Sequence, residues 1–131
     1  MTILIGYIPT PPGEAALGAG LAEAARSGDD VVILNSPRRG SYVDVALVDD
    51  GSAGGLLARA EEQGVTARVD HAEHGADIVD AFTTLVRESD ARLVVIGLRR
   101  RSSVGKLVMG SNAQRLLLEL DVPVLCVKPA R

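Results

Sequence analysis

Leu93-Val94-Val95-Ile96-Gly97 is the stretch of the sequence that decides the fold. Its four apolar residues follow one another without a polar residue, which is typical of a strand buried on both faces of a parallel sheet. Further strands, most of them apolar runs, are predicted at residues 2–7, 31–34, 65–69 and 122–127. Because segments with apolar residues at helical spacing separate these runs, we predict a single doubly wound α/β domain, residues 1–131, with five parallel strands and helices on both faces.

Glycines and a serine mark the predicted ends of the helices. Gly28 and Gly64 end the first and second helices, and Ser52 caps the start of the second. The last helix begins at Gly110, after a loop that starts at residue 98. Its predicted inward-facing residues are Ala113, Leu116, Leu117 and Leu120.

Composition excludes several classes of function. The 131 residues carry 14 basic and 17 acidic side chains, and only 2% are aromatic, which argues against a nucleic-acid surface built on positive charge or base stacking. The first ten residues lack a basic segment and contain Pro9, so we predict neither a signal peptide nor a membrane span and no membrane partner. The one cysteine, Cys126, fits a reducing compartment. The predicted location is the cytoplasm.

The predicted fold places the site at one edge of the sheet. Ligands of open α/β sheets bind beyond the carboxyl ends of the strands, where the strand order reverses. If the first three strands wind one way and the chain then returns across strand one, that crevice lies between strands one and four. The loops that leave these strands are residues 7–12, which contain three prolines, and residues 98–110, which are basic.

The second loop has the residues of an anion site. Arg99 and Arg100 supply positive charge, and Gly110 and Ser111 begin a helix whose free amides and dipole favour an anion. Each feature has a structural explanation too, because Ser111 is a good N-cap without any ligand and the arginines also suit a solvated surface. Together, at the predicted crevice, they favour a phosphate.

Other clusters of functional side chains point to no metal and no catalysis. His71 and His74 lie at a predicted strand-to-helix turn, where polar residues are expected in any case, so we predict no metal site. Glu14 is the carboxylate near the crevice, and it fits the first turn of a helix better than the role of a base. Cys126 lies in an apolar run as a small buried side chain. We therefore predict no catalytic residues and a protein that is not an enzyme.

The second loop and its flanks resemble the nucleotide-binding signature of the universal stress proteins. That signature has a glycine, two residues, a glycine, nine residues, and a glycine with serine or threonine. Here Gly97 is followed by two residues, Arg100, nine residues and the pair Gly110-Ser111. The opening Ile3-Leu4-Ile5-Gly6-Tyr7 and the end at residues 122–128 also match, so the resemblance covers nearly the whole chain except residues 35–51.

The resemblance implies a Rossmann-like fold of the adenine nucleotide alpha hydrolase type, with sheet order 3-2-1-4-5. It also implies a stress-response regulatory protein that binds ATP or AMP, with Mg²⁺ entering only with the nucleotide. The regulatory partner is not identified by the sequence. The predicted nucleotide-binding residues are Gly6, Tyr7, Ile8, Ser36, Gly97, Arg99, Arg100, Gly110, Ser111 and Asn112.

Two residues depart from the family's pattern. Members that hold ATP commonly have an aspartate after strand one, where this sequence has Ile8, and the second glycine of the signature is Arg100. Arg100 either fills the crevice or turns its guanidinium onto a phosphate. The sequence therefore leaves an alternative open, a dimeric interaction module that binds no nucleotide because Ile8 and Arg100 block the site.

The last apolar run predicts a partner. Residues 122–127 form an edge strand in the implied order, and an exposed apolar edge recruits another chain. A two-fold homodimer through this strand would cover it, as the family resemblance also implies. The other possibility is that Lys128 and Pro129 protect the edge by themselves.

Overall fold

The computed structural model describes residues 1–35, 53–71, 77–100 and 107–129, and of Arg100, Leu107 and Val108 only the backbone. Ser36, Ser52 and His74, which the sequence analysis singled out, lie outside the described residues. In chain order the elements are β1 (Thr2–Tyr7), α1 (Pro11–Ser27), β2 (Asp30–Asn35), α2 (Ala53–Glu62), β3 (Ala67–His71), α3 (Ile78–Ser89), β4 (Ala91–Gly97), β5 (Arg99–Arg100), β6 (Leu107–Val108), α4 (Ser111–Glu119) and β7 (Val124–Val127).

Five parallel strands form the main sheet in the order β3-β2-β1-β4-β7. This confirms the predicted doubly wound sheet, in which the first three strands run outward and the chain returns across β1. The point of reversal lies between β1 and β4, where the carboxyl ends of both strands face the same edge. None of the helices in the described ranges is both long and apolar enough to cross a membrane.

The core lies on both faces of the central strand β1. Ile3 and Ile5 pack against helices α1 and α2, whereas Leu4 packs on the other face against α3 and α4. All three side chains are 0% exposed. Burial of one such side chain contributes about 1.5–3 kcal/mol, so β1 holds the two layers together and leaves no room for polar groups inside the sheet.

Two predicted strand boundaries are wrong, each for an identifiable reason. β3 begins at Ala67 and not at Val65, because the Val65 amide donates to the Ala60 carbonyl as part of the turn that ends α2. β7 begins at Val124 and not at residue 122. Pro123 accepts a hydrogen bond from the Val94 amide through its carbonyl, but it has no amide hydrogen of its own to continue the ladder.

Helix α1 ends as predicted, whereas α4 differs from its prediction. Gly28 caps α1 in the left-handed conformation, with φ of 81°. On α4, Leu116 is buried, but Leu117 is 38% exposed and does not face inward as predicted. The helix has nine residues, and Ala113 and Leu120 are its other contacts with the core. Fewer of its leucines are therefore buried than the sequence predicted.

The segment after β4 contains structure where a loop was predicted. Arg99 pairs with Val108 and Arg100 with Leu107 as a short antiparallel ribbon, β5–β6. Strands of two residues have no detectable periodicity in the sequence, so the pattern could not reveal them. The ribbon connects the end of β4 to the start of α4 and places Arg99 at the carboxyl edge.

Helix α1 approaches the sheet at two glycines. A Cβ atom on Gly20 would overlap the side chain of Ile5, and a Cβ atom on Gly97 would overlap the carbonyl oxygen of Pro12. The second contact places the first turn of α1 directly against the carboxyl end of β4. Any residue larger than glycine at position 97 would push the two apart.

The opposite, amino edge of the sheet is held by an ionic network. A register shift in the β1–β4 pairing, where Thr2 lies opposite Ala91 and Ile3 opposite Leu93, leaves Arg92 between them. Arg92 donates from Nε to Asp29 Oδ2 at 2.7 Å, and Ser27 Oγ donates to the same oxygen at 2.6 Å. These hydrogen bonds lower the pKa of Asp29 to about 2, against the opposing effect of burial.

Replacing Asp29 should therefore lower stability in a pH-dependent way. The folded-state pKa lies below the ordinary value of 3.8, so the stabilisation is present above about pH 4 and is lost as the pH falls towards 2. We expect Asp29→Asn to be less stable than the wild type in denaturant titrations at pH 7, with the difference shrinking between pH 4 and pH 2. The neighbouring exposed Asp30→Asn is the control and should change stability little. A difference that stays constant with pH would contradict the prediction.

The contact at Gly97 predicts a large effect of a small change. We expect Gly97→Ala to lower the free energy of unfolding by about 2 kcal/mol or more, because the methyl group meets backbone that cannot rotate away. Gly18→Ala is the matched control, since a Cβ atom there meets nothing within 4 Å and alanine favours the helix by about 0.5–1 kcal/mol. Urea denaturation of both variants checks this, and equal stability of the two would refute it.

Candidate functional site

The candidate site begins with a row of residues at the carboxyl edge of the sheet. Tyr7 lies opposite Asn35 in the β1–β2 register, and Gly97 lies opposite Val127 in the β4–β7 register. The β1–β4 register, continued two residues past the pair Ile5–Val95, brings Tyr7 opposite Gly97. Four adjacent strands thus end at the same edge of the sheet, next to the face that α1 and α2 cover.

Helix α4 begins at the same edge with free amides. Its N-cap is Gly110 and not Ser111, so the predicted capping role of Ser111 is wrong, and among the described residues no side chain caps the first turn. Helices α1 and α3, by contrast, are capped by Thr10 and Asp77. The first amides of an α-helix have no acceptor within the helix, so they remain available to an anion. Ser111 and Asn112 are exposed there.

Arg99 adds positive charge beside this helix start. The position of a Cβ atom on Gly110 lies 4.0 Å from Nη2 of Arg99. Within the described ranges, no carboxylate forms an ion pair with Arg99. The ribbon and the helix start thus bring a cation and free amides together, as the sequence predicted for residues 99, 110 and 111.

The carboxylates near this edge already have partners. Glu14 Oε1 accepts from Arg59 at 2.7 Å, and Glu14 Oε2 accepts from the Tyr7 hydroxyl at 2.5 Å. Asp77 Oδ2 accepts from Arg115 at 3.1 Å. Their negative charges are therefore balanced by arginines, whereas the positive charge of Arg99 has no carboxylate partner among the described residues.

The network of Tyr7, Glu14 and Arg59 connects β1, α1 and α2. Burial and the hydrogen bond to Glu14 raise the pKa of Tyr7 to about 12. Burial alone would raise the pKa of Glu14, but the hydrogen bonds from Tyr7 and Arg59 outweigh it and hold that pKa below its ordinary value. Glu14 is thus an ionised structural group in the first turn of α1, and Arg59 is the member of the network that sequence reasoning missed.

The remaining predicted site residues lie in different surroundings. A Cβ atom on Gly6 would lie 2.6 Å from Phe82 Cζ, so Gly6 faces α3, on the opposite face from Tyr7. The Ile8 carbonyl accepts from the Thr10 amide at 2.7 Å in the turn before α1. Ser36 and the side chain of Arg100 lie outside the described part of the structure.

Asn35 is a further polar residue of this edge that sequence reasoning missed. It is 1% exposed at the end of β2. In the part of the chain that the structure describes, neither Oδ1 nor Nδ2 of its carboxamide has a hydrogen-bond partner. The signal was present in the sequence, because Asn35 is the first polar residue after the apolar run of residues 31–34.

Two other features do not compete with the carboxyl edge. An open groove of about 290 Å³ lies at the amino edge, and it is lined by Thr2, Asp30, Val31, Val32, Thr66, Ala67, Arg68, Glu88 and Ser89. Ligands of parallel α/β sheets bind at the carboxyl ends instead, so we place the candidate site there. Among the described residues, no three His, Cys, Asp or Glu side chains are grouped so that they could hold a metal ion.

Comparisons with known proteins agree with this architecture. The universal stress protein family matches residues 1–128. A universal stress protein from Mycolicibacterium smegmatis is 39% identical over 127 residues, which cover 97% of each chain.

Solved structures show the same fold. A universal stress protein from Archaeoglobus fulgidus is 26% identical, with 98% of each chain covered and a TM-score of 0.79. Another structure of the universal stress protein from that organism, solved in complex with dAMP, is 22% identical over 98% of each chain, with a TM-score of 0.75. The family match and the 39% identical relative show that the chain belongs to the universal stress protein family.

Proposed function

We propose that this protein binds an adenine nucleotide, ATP or AMP, at the carboxyl edge between β1 and β4. The phosphates would lie at the start of α4 and the nucleoside along the ends of β1 and β2. The observation that carries the proposal is the uncapped start of α4 beside Arg99, which combines free amides with a cation that pairs with no carboxylate in the described residues.

Relatives support the choice of an adenine nucleotide. Three proteins with this fold have been solved with dAMP, cAMP and AMP, respectively. Ser111 and Asn112 are exposed in the first turn of α4, where their side chains and amides would contact phosphate oxygens. Mg²⁺ would enter only with the phosphates of a bound nucleotide.

We propose a regulatory role in the stress response and not an enzymatic one. Glu14, the carboxylate in the turn next to the site, is ionised and engaged by Tyr7 and Arg59, so it does not serve as a free base. The protein would act in the cytoplasm, where its one cysteine stays reduced. Its nucleotide-bound form would signal to a regulatory partner of the cell.

One observation favours the alternative, an interaction module without a nucleotide. The Pro12 carbonyl lies so close to Gly97 that a Cβ atom would not fit between them, which narrows the crevice at its phosphate end. In this alternative Ile8 and Arg100 close what remains. Replacing both by the residues of the family's pattern would then open the site.

The outer edge of β7 supports a second proposal, a homodimer through this strand. β7 pairs with β4 on one side only within the described sheet. Leu125 of this strand is 42% exposed, and Leu118 of α4 is 85% exposed. A second copy that pairs along β7 would cover the unpaired backbone and these leucines together.

Nucleotide binding can be tested by calorimetry with ATP, AMP and cAMP. We expect Arg99→Gln to weaken AMP binding about tenfold or more, because it removes a charged hydrogen bond to phosphate, and we expect added salt to weaken wild-type binding. The control Arg87→Gln removes an exposed arginine of α3 and should leave the affinity unchanged.

The same experiment separates the two proposals for the site. A wild type that binds none of these nucleotides at millimolar concentration would refute nucleotide binding. If the double variant Ile8→Asp with Arg100→Gly then binds AMP, the alternative of a blocked module is correct.

The dimer can be tested by sedimentation analysis. We expect Leu125→Asp to convert a dimer into a monomer, because it places a charge in the middle of the proposed interface. Leu57→Asp is the control, since Leu57 is 36% exposed on α2, away from β7, and should leave the mass unchanged. A wild type that sediments as a monomer at all concentrations would exclude the interface.

A further inference from the structure

The starting observation is the open groove at the amino edge of the sheet, far from the candidate nucleotide site. On this face of the sheet α3 packs against β1 and β4. The groove, of about 290 Å³, opens beside the last turn of α3 and over the first residues of β2 and β3. Its volume is close to the lower limit of the pockets that hold small molecules in proteins.

Three polar residues on adjacent strands form a row along this groove. Thr2 lies opposite Asp30 in the β1–β2 register, and Thr66 flanks Asp30 on the other side, where its carbonyl accepts from the Val31 amide. Alternation along the strands places all three on the same face as Val32, which packs on the α3 side. Since neighbouring strands are about 4.8 Å apart, the Asp30 carboxylate has a threonine on each side.

The end of helix α3 adds negative charge to the groove. Glu88 and Ser89, the last two residues of the helix, both line it. The helix is capped by Asp90, whose amide donates to the Val86 carbonyl. The last carbonyls of an α-helix carry a partial negative charge, which attracts cations. The helix end and the Glu88 carboxylate therefore favour the same sign of ligand charge as the row on the strands.

The two carboxylates that line the groove are not neutralised by the protein. The ion pairs of the described residues include neither Asp30 nor Glu88. Arg68 is the basic residue among the described lining residues, and it donates to Asp70 at 3.0 Å, so its charge is already balanced. The groove thus combines two unpaired carboxylates from different elements, and a ligand with two positive charges complements them.

We propose that this groove binds a linear aliphatic diamine, with one ammonium group at Asp30 and the other at Glu88. An ammonium group has three hydrogen-bond donors, which match a carboxylate with a threonine hydroxyl on either side. The methylene chain between the two charges would lie on the apolar surface of Val32. A metal ion fits less well, because the described residues offer no group of three His, Cys, Asp or Glu side chains to hold one. The inference does not depend on the proposed nucleotide site, which lies at the opposite edge.

The test is calorimetry with 1,4-diaminobutane and with butylamine, which has the same carbon chain and only one ammonium group. We expect the wild type to bind the diamine at least about fivefold more tightly than butylamine, because the second ammonium pairs with the second carboxylate. Asp30→Asn and Glu88→Gln should each weaken diamine binding by about fivefold or more, and added salt should weaken wild-type binding. Both side chains are exposed, so the variants should fold like the wild type.

Glu61→Gln is the matched control, since it removes an exposed carboxylate of α2, on the other face of the sheet, and should leave diamine binding unchanged. Equal weakening by Glu61→Gln would overturn the inference, because it would show a general attraction of cations to a protein of net charge −3. Equal affinity for the diamine and butylamine, unchanged diamine binding in Asp30→Asn or Glu88→Gln, or no diamine binding by the wild type at millimolar concentration would also overturn it.

Discussion

The complete burial of the three central residues of β1 is the constraint on which the rest of the structure depends. Ile3, Leu4 and Ile5 alternate between two apolar clusters, and strands on both sides take up the backbone hydrogen bonds. A polar group placed among them would lose its water without gaining a partner. Chemistry is therefore confined to the edges of the sheet, and the parallel direction of the strands brings all carboxyl ends to one of them.

The two edges of the sheet treat their polar groups in opposite ways. At the amino edge, Arg92 and Ser27 satisfy Asp29, and the result is a closed ionic network with a structural role. Among the described residues at the carboxyl edge, the carboxamide of Asn35 has no hydrogen-bond partner, and no side chain caps the first turn of α4. Both unsatisfied features lie where β1 and its neighbours end. This concentration at one edge is the pattern expected of a ligand site.

The sequence predicted the sheet because each buried strand must be apolar on both faces, which leaves a continuous run such as residues 93–96. It failed where tertiary contacts decide. Leu116 and Leu117 are identical side chains at adjacent positions, and the sequence predicts that both face inward. Packing against the core buries only Leu116. The β5–β6 ribbon is too short for any periodicity. Of the site, the spacing of Gly97, Arg100 and Gly110 was readable from the sequence.

The importance of Arg59 was not readable from the sequence, because it comes from a partner far away along the chain. The polar character of Asn35 was visible in the sequence, but its missing hydrogen bonds were not. Arg59 meets Glu14 across 45 positions, and Asn35 is distinctive only once its lack of a partner is known. Glu14 is balanced by Arg59, and Ile8 stands where the resemblance led us to expect an aspartate, so Arg99 acts without a nearby unpaired carboxylate in the described structure. The proposed phosphate site would therefore bind by charge and would discriminate little between bases, since charge alone does not read a base.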